Sequence, residues 1–256
     1  MDDSTLLRYN RQIMMPPVGI EGQQKIIDST VLIVGLGGLG SPVAMYLASS
    51  GVGHLVLNDF DEVDLSNLQR QIVHTTASVG TPKVETSIET LRTLNPQITL
   101  TGLKSKHNRE EIFEQVSRAD VVVDATDNFD IRFAVNEACV NTQTALVSGA
   151  AIRMEGHLIV YRADLDDSAC FRCLYSPEDE PQERCSETGV LGSLCGTIGS
   201  LQATEVLKII ANFGPATYGR LVLFDAARTE WQEVRIHKDP SCPVCGNASQ
   251  MVQAAT

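Results

Sequence analysis

The chain has 256 residues, 43% hydrophobic and 20% charged, enough for a sizeable core. Twenty Lys and Arg against 32 Asp and Glu give a net charge of −12, which argues against nucleic acid or an anionic membrane as partner but leaves room for a local basic pocket. No apolar run reaches the ~20 residues of a membrane span, and "MDDSTLLRYNRQ" lacks the apolar core of a signal peptide, so a cytoplasmic protein is expected.

A helical arm is expected over 1–27. A β-α-β-α pattern then runs over about 28–150. "VLIVG" reads as a buried strand, and "SPVAMYLASSGV" as a helix stopped by glycine. "HLVLND" is a second strand ending on acidic residues. "TPKVETSIETLRTLNP" has proline near its start, helical spacing, and an Asn-Pro stop. "QITLTGL", "DVVVDATD" and "TALVSGA" follow as strands, separated by the helices "REEIFEQVSRA" and "FDIRFAVNEACVNTQ". This alternation predicts an α/β fold, a Rossmann-like doubly wound, mostly parallel sheet covered on both faces.

After Ala150 the texture changes. "GHLIVYRA", "RLVLFDA" and "EWQEVRI" alternate like strands and are expected to extend the sheet in antiparallel fashion. The polar stretch over 176–189 reads as a mobile loop. "GSLCGTIGSLQATEVLKIIANFG" reads as a long helix whose small residues allow close packing on the sheet or on another subunit.

Gly35, Gly37 and Gly40 fit G-x-G-x-x-G, with Gly38 as an extra. Such glycines permit a tight turn and bring backbone close to a phosphate at a helix N-terminus. Asp59 and Asp61 end the second strand, where a carboxylate can accept ribose hydroxyl hydrogens. Glycines needed only for packing are the bland alternative. The motif names a nucleotide without saying which one.

Asn67, Arg70 and Lys83 lie on loops near the end of the sheet. A guanidinium, an ammonium and an amide suit a triphosphate better than a dinucleotide. Each alone is an ordinary surface residue. Asp124 and Asp127 end the fourth strand, at the expected ligand crevice, and Asp127 is suited to Mg²⁺. A helix cap is the competing reading for Asp127 and Asn128. None of the five histidines, His54, His74, His107, His157 and His237, sits in an evident catalytic context.

The seven cysteines are Cys139, Cys170, Cys173, Cys185, Cys195, Cys242 and Cys245. The odd count argues against a disulfide framework. "CFRC" and "CPVC" make two Cys-x-x-Cys knuckles. Four thiolates from Cys170, Cys173, Cys242 and Cys245 suit a closed tetrahedral Zn²⁺ site. A thioredoxin-like redox role remains the alternative for either pair. Cys185 lies in the polar loop, where an exposed thiol can be nucleophilic. Cys139 and Cys195 read as core residues.

Together "RYNRQI", "GLGGLGSP", "SNLQRQ", "GTPK", "DATDN", "CFRC", "GSLQATE" and "CPVCG" resemble the MoeB/ThiF family, relatives of the ubiquitin-activating enzymes. The likeness runs from about Leu7 to Gly246. It implies a single adenylation domain over 1–256, with a carrier-binding, zinc-bearing half over about 151–246. It implies ATP-dependent adenylylation of the C-terminal Gly-Gly carboxylate of a ubiquitin-like sulfur-carrier protein, with Mg²⁺ and Zn²⁺ as metals.

Site roles follow from the same resemblance. Gly38 is expected beside the nucleotide and the carrier's tail, and Asp59 on the ribose. The segment Ser66, Asn67, Leu68, Gln69 and Arg70 is expected at the nucleotide. Asn67, Arg70 and Lys83 clamp the phosphates. Asp127 organises Mg²⁺, with Asn128 beside it. Arg11 matches an arginine that reaches the partner's ATP in a homodimer. At the position of Cys185, one branch of the family carries a cysteine that links covalently to the carrier, while in the other it is dispensable.

"GIEGQQKIID" and "EPQERC" lean towards a ThiS-like carrier, whereas "DFD" and "VSGAAIRMEG" lean towards a MoaD-like one. No rhodanese-like domain follows Thr256, so sulfur is expected from a separate sulfurtransferase or cysteine desulfurase. Two other classes have clear discriminators. An NAD-dependent oxidoreductase would ignore ATP, and a non-catalytic carrier-binding scaffold would not turn it over.

Overall fold

The computed structural model describes residues 1–104, 108–177, 188–215 and 217–246. Cys185 and His107, and most of the polar loop, lie outside the described residues.

The sheet is built around β1 (Thr30–Val34), a run rich in β-branched residues. Its side chains alternate between two cores. Val31 and Ile33 face one hydrophobic cluster, and Leu32 and Val34 face the other. A strand buried on both faces needs a continuous apolar run, which this sequence supplies. Truncating Ile33 to Ala would cost about 2–5 kcal/mol, the usual range for a filled core position.

Seven further strands join it: β2 (His54–Asn58), β3 (Thr99–Leu103), β4 (Val121–Asp124), β5 (Ala145–Ile152), β6 (Glu155–Arg162), β7 (Arg220–Asp225) and β8 (Glu230–Arg235). Their order is β3-β2-β1-β4-β5-β6-β7-β8. Pairing is parallel from β3 to β5. It is antiparallel from β5 to β8. The expected parallel sheet with an antiparallel extension is therefore what forms.

The arm comprises α1 (Asp3–Arg8), α2 (Asn10–Ile13) and α3 (Gly19–Asp28). Tyr9 pins it down. Its ring is buried, and its hydroxyl accepts from Asn95 Nδ2 at 2.8 Å. Along the chain follow α4 (Gly40–Ser50), α5 (Lys83–Leu94), α6 (Arg109–Val116), α7 (Phe129–Thr142), α8 (Phe171–Leu174) and α9 (Gly192–Ala211).

One core lies between the sheet and α3, α4, α5 and α9, the other between the sheet and α6, α7 and α8. The small residues of α9 serve close packing within the chain. A Cβ on Gly199 would fall 2.6 Å from the Leu39 carbonyl oxygen of the turn entering α4. The strand order reverses between β1 and β4, so a crevice opens there at the carboxyl ends of the strands.

Candidate functional site

The crevice starts where β1 ends. Gly35 has φ +93, and a Cβ there would lie 2.8 Å from the Ala125 carbonyl oxygen. Gly40, at the first turn of α4, backs onto the Gly35 carbonyl, where a Cβ would sit at 1.9 Å. These two positions shape the turn. Gly37 and Gly38 line a cavity of about 630 Å³, a volume normal for a small-molecule site; a Cβ on Gly37 would meet only Gln71 Nε2, at 3.7 Å.

Asp59 follows β2 and is 9% exposed. Its Oδ2 accepts from the Leu36 backbone N–H at 2.7 Å, and its Oδ1 accepts from that of Asp61 at 2.9 Å. Two backbone donors thus fix the carboxylate before any ligand arrives. Lys83 opens α5 and is almost wholly buried. Its Nζ lies 2.9 Å from Asp61 Oδ2 and 4.0 Å from Asp59 Oδ1. The ammonium is parked on carboxylates at the cavity wall.

Past Asp64 the chain makes helical turns, with the Gln71 and Arg70 N–H groups donating to the Asn67 carbonyl. Asn67, Arg70 and Gln71 consequently share one face and line the cavity. The Gln71 Oε1 is buried without a hydrogen-bond partner. Ser66, Leu68 and Gln69, expected at the nucleotide, are not among the residues that line the cavity. Arg70 Nη1 donates to the Ser66 carbonyl at 3.2 Å, which orients the guanidinium.

The "DATDN" segment separates its two aspartates. Asp124, the last residue of β4, is 1% exposed and lines no part of the cavity. It accepts from Ser148 Oγ at 2.6 Å and from the Thr126 hydroxyl at 2.7 Å. Asp127 is exposed and lines the cavity. Asn128 is the helix cap: its Oδ1 accepts from the Ile131 N–H at 3.1 Å, which leaves Asp127 unused by α7.

Arg132 is 4% exposed and also lines the cavity. One of its nitrogens donates to the carbonyls of Thr126 and Gly149, the latter at 2.9 Å. It fastens the Asp127 loop to β5. His157 on β6 forms part of the same wall. Burial, then the Arg132 charge, push its imidazole down to about 4. Arg132 stands in a helical run that also carries Asp130 and Glu137, so no sequence pattern singles out either it or His157. Arg11 is exposed on α2 and does not line this cavity.

The four knuckle cysteines converge. Cys170 and Cys242 sulfurs are 3.7 Å apart, and those of Cys173 and Cys245 are 3.4 Å apart. All four lie within 4.8 Å of one another. Four thiolates at about 2.3 Å from a tetrahedral Zn²⁺ would stand about 3.8 Å apart, so the donor set fits that ion. Both of these short approaches run between knuckles, so the two pairs form one cluster. Asn136 Nδ2 donates to Cys170 Sγ at 3.7 Å, and the Asp239 N–H donates to Cys173 Sγ at 3.5 Å. Such donors stabilise thiolates. Cys139 and Cys195 are buried as expected. Cys195 additionally packs against the turn, 3.0 Å from where a Cβ on Gly38 would be.

A doubly wound α/β protein with a mixed sheet, a crevice at the switch point and a four-cysteine cluster is thereby defined. The profile of the ThiF family matches residues 9–244, and the chain belongs to that family. It is 43% identical to the sulfur carrier protein ThiS adenylyltransferase of Escherichia coli K12, covering 97% of this chain and 98% of that one. It is 44% identical to the molybdopterin-synthase adenylyltransferase of the same organism, covering 96% and 98%. A crystal structure of E. coli MccB with ATP matches with TM-score 0.83 at 21% identity, over 93% of this chain and 73% of that one. That last likeness bears on the fold alone. Among the described residues no helix is long and apolar enough to cross a membrane.

Proposed function

We propose that this chain uses ATP to adenylylate the C-terminal Gly-Gly carboxylate of a ubiquitin-like sulfur-carrier protein. The reading rests on the convergence of Gly38, Asp59, Asn67, Arg70, Lys83 and Asp127 on one cavity. A carboxylate is a poor electrophile because it has no leaving group. One of its oxygens attacks the α-phosphorus of ATP, and pyrophosphate departs with the electrons of the broken P–O bond. The resulting acyl-adenylate carries AMP as a leaving group for a sulfur nucleophile. The attacking oxygen is already ionised, so the step needs no general base. The enzyme's work is to hold two anions together and offset their charge.

Asp59 accepts from the ribose hydroxyls through lone pairs left over by its two backbone bonds. Asn67, Arg70 and Lys83 take the phosphates, with Lys83 exchanging its Asp61 partner for phosphate oxygen. Asp127 would hold Mg²⁺, which offsets phosphate charge when bound. Cys170, Cys173, Cys242 and Cys245 would hold a structural Zn²⁺. The backbone around Gly38 approaches the nucleotide and the carrier's Gly-Gly tail.

Arg11 serves the site of a second copy, so the working unit is a homodimer with two composite sites. Exposed Leu7, Met14, Met15 and Ile20 surround Arg11 in sequence and give that face an apolar character. Identities of 43% and 44% to relatives named for ThiS and for molybdopterin synthase do not separate the two carriers. Sulfur comes from a separate sulfurtransferase or cysteine desulfurase. The deciding experiment is ATP–pyrophosphate exchange with MoaD-like and ThiS-like carriers. Exchange with at least one is expected, and none with any would overturn the reading. Intact mass of carrier–enzyme mixtures, wild type against Cys185→Ala, tests the covalent link.

A further inference from the structure

A run of close polar contacts beneath the cavity links a histidine to the glycine turn and to the first turn of α5. His74 is 6% exposed and lines no part of the cavity. Its Nδ1 lies 2.7 Å from Thr86 Oγ1, and its Nε2 lies 3.3 Å from the Leu36 carbonyl oxygen. The N–H of the same Leu36 donates to Asp59 Oδ2. Asp59 Oδ1 accepts from Asp61 N–H. Asp61 receives Lys83 twice, its carboxylate from Nζ and its carbonyl from the backbone N–H, both at 2.9 Å. The Lys83 carbonyl lies 3.1 Å from Thr86 Oγ1, which also meets His74.

The protonation state follows from the partners. Burial, and then the Lys83 charge, lower the His74 pKa, against an opposing pull from the Leu36 carbonyl and Asp59. A neutral imidazole carries one N–H. On Nε2 it donates to the Leu36 carbonyl, and Nδ1 is left to accept the Thr86 hydroxyl hydrogen. Only this tautomer gives the Leu36 carbonyl a hydrogen from His74; the Lys83 carbonyl is then left in contact with Thr86 Oγ1 at 3.1 Å without one. The single hydroxyl hydrogen of Thr86 goes to the nearer acceptor, His74.

A glycine turn has few side chains with which to fix itself, and its backbone is permissive. Leu36 is the residue within it whose N–H and C=O are both held, one by Asp59 and one by His74. We infer that His74 is a positioning residue for nucleotide binding. It keeps the Gly35–Gly38 turn in register with the first turn of α5, which carries Lys83. The inference rests on the ATP reading above. Without His74 the turn loses one of the two anchors at Leu36, and ATP must order that residue on binding. Binding is weakened alike in the ground and transition states, so KM for ATP rises while kcat holds.

The test varies ATP in pyrophosphate exchange at saturating carrier, with thermal unfolding alongside. His74→Phe keeps the ring's bulk and removes both hydrogen bonds. His74→Gln can restore an N–H donor to the Leu36 carbonyl. Thr86→Val keeps shape and removes the Nδ1 partner. His74→Phe is expected to raise KM for ATP about tenfold, the order of one lost hydrogen bond, with kcat changed less than about threefold. His74→Gln should return KM to within about threefold of wild type, and Thr86→Val should raise it about threefold. An unchanged KM in the Phe variant, or Gln and Phe variants equally impaired, overturns the inference. Should the Phe variant not fold, an unchanged KM in Thr86→Val overturns it instead. If wild type exchanges with no carrier, the adenylylation reading fails. Direct calorimetric titration of ATP into the same variants then decides the role of His74, an affinity loss supporting it and unchanged affinity overturning it.

Discussion

The cavity at the switch point and the four-cysteine cluster are built on opposite plans. In the cluster the four sulfurs already stand within 4.8 Å of one another, and flanking N–H groups point at them. On the proposed reading, only an ion is needed to complete it. In the cavity the backbone is set but the charges are not. Asp59 and the glycine turn are locked by hydrogen bonds, while Lys83 is held on Asp61 and Asp127 stands exposed. A site that binds once can be closed in advance. On the proposed function, a site that turns over must keep the cations that would meet phosphate stored and releasable. Damage to the first should therefore appear in stability, and damage to the second in rate.

The largest effects should lie in the cavity. Arg70→Ala and Asp127→Ala should each lower ATP–pyrophosphate exchange by about 10²-fold or more, the order expected for lost charge stabilisation. Melting temperatures should shift by no more than about 2 °C, since neither side chain is buried in a core. A comparable loss of stability would erase the distinction between the two regions. Cys242→Ser should behave in the opposite way. Zinc content by mass spectrometry should fall, and the melting temperature should drop by about 5 °C or more. Exchange at low temperature by the chains still folded should persist. Full folding with no zinc in the wild-type protein would remove the metal from the account.

A third test asks whether the cavity is complete within one chain. Arg11→Ala and Arg70→Ala proteins, each inactive, are mixed and allowed to exchange subunits. In a mixed dimer one site has both arginines and the other has neither. About one quarter of wild-type activity should return at full random exchange, half the dimers being mixed with one good site each. No recovery, with subunit exchange verified, would confine the site to a single chain.

How much of this was legible in the sequence divides along similar lines. Strand runs such as "VLIVG" and "DVVVDATD" carry their burial in their composition, and all eight strands form where period and turn residues place them. The knuckles are legible because metal geometry demands a fixed donor set. The cavity is legible only where a residue acts from its own loop. In the segment 66–71 the residues that line the cavity are Asn67, Arg70 and Gln71. Short turns carry no periodicity from which their phase can be read. Asp124 and Asp127 look alike in sequence. Strand parity points Asp124 to the same side as Leu146 and Val122, towards α7, where Ser148 and Arg132 meet it. Arg132, His157 and His74 enter the site through packing between distant segments, which no local pattern encodes.

The smallest predicted effect concerns His157 and gives the comparison a pH axis. Its imidazole is held at about 4 in the folded chain, against an ordinary value near 6.5. Between these values the unfolded chain binds a proton that the folded chain refuses, so stability falls as pH drops from 6.5 towards 4. Above 6.5 both states are neutral and the contribution is constant. His74, also lowered, acts with the same sign and is present in every variant, so the difference between His157→Gln and wild type isolates His157. Urea unfolding of zinc-loaded protein at pH 7.0 and 5.5 should show a smaller loss in the variant. Equal losses would mean that His157 is as free to protonate when folded as when unfolded. The cavity wall would then be wetter than its lining implies. Restricting the comparison to pH 5.5 and above limits interference from the cluster, whose thiolates compete with protons for metal in acid.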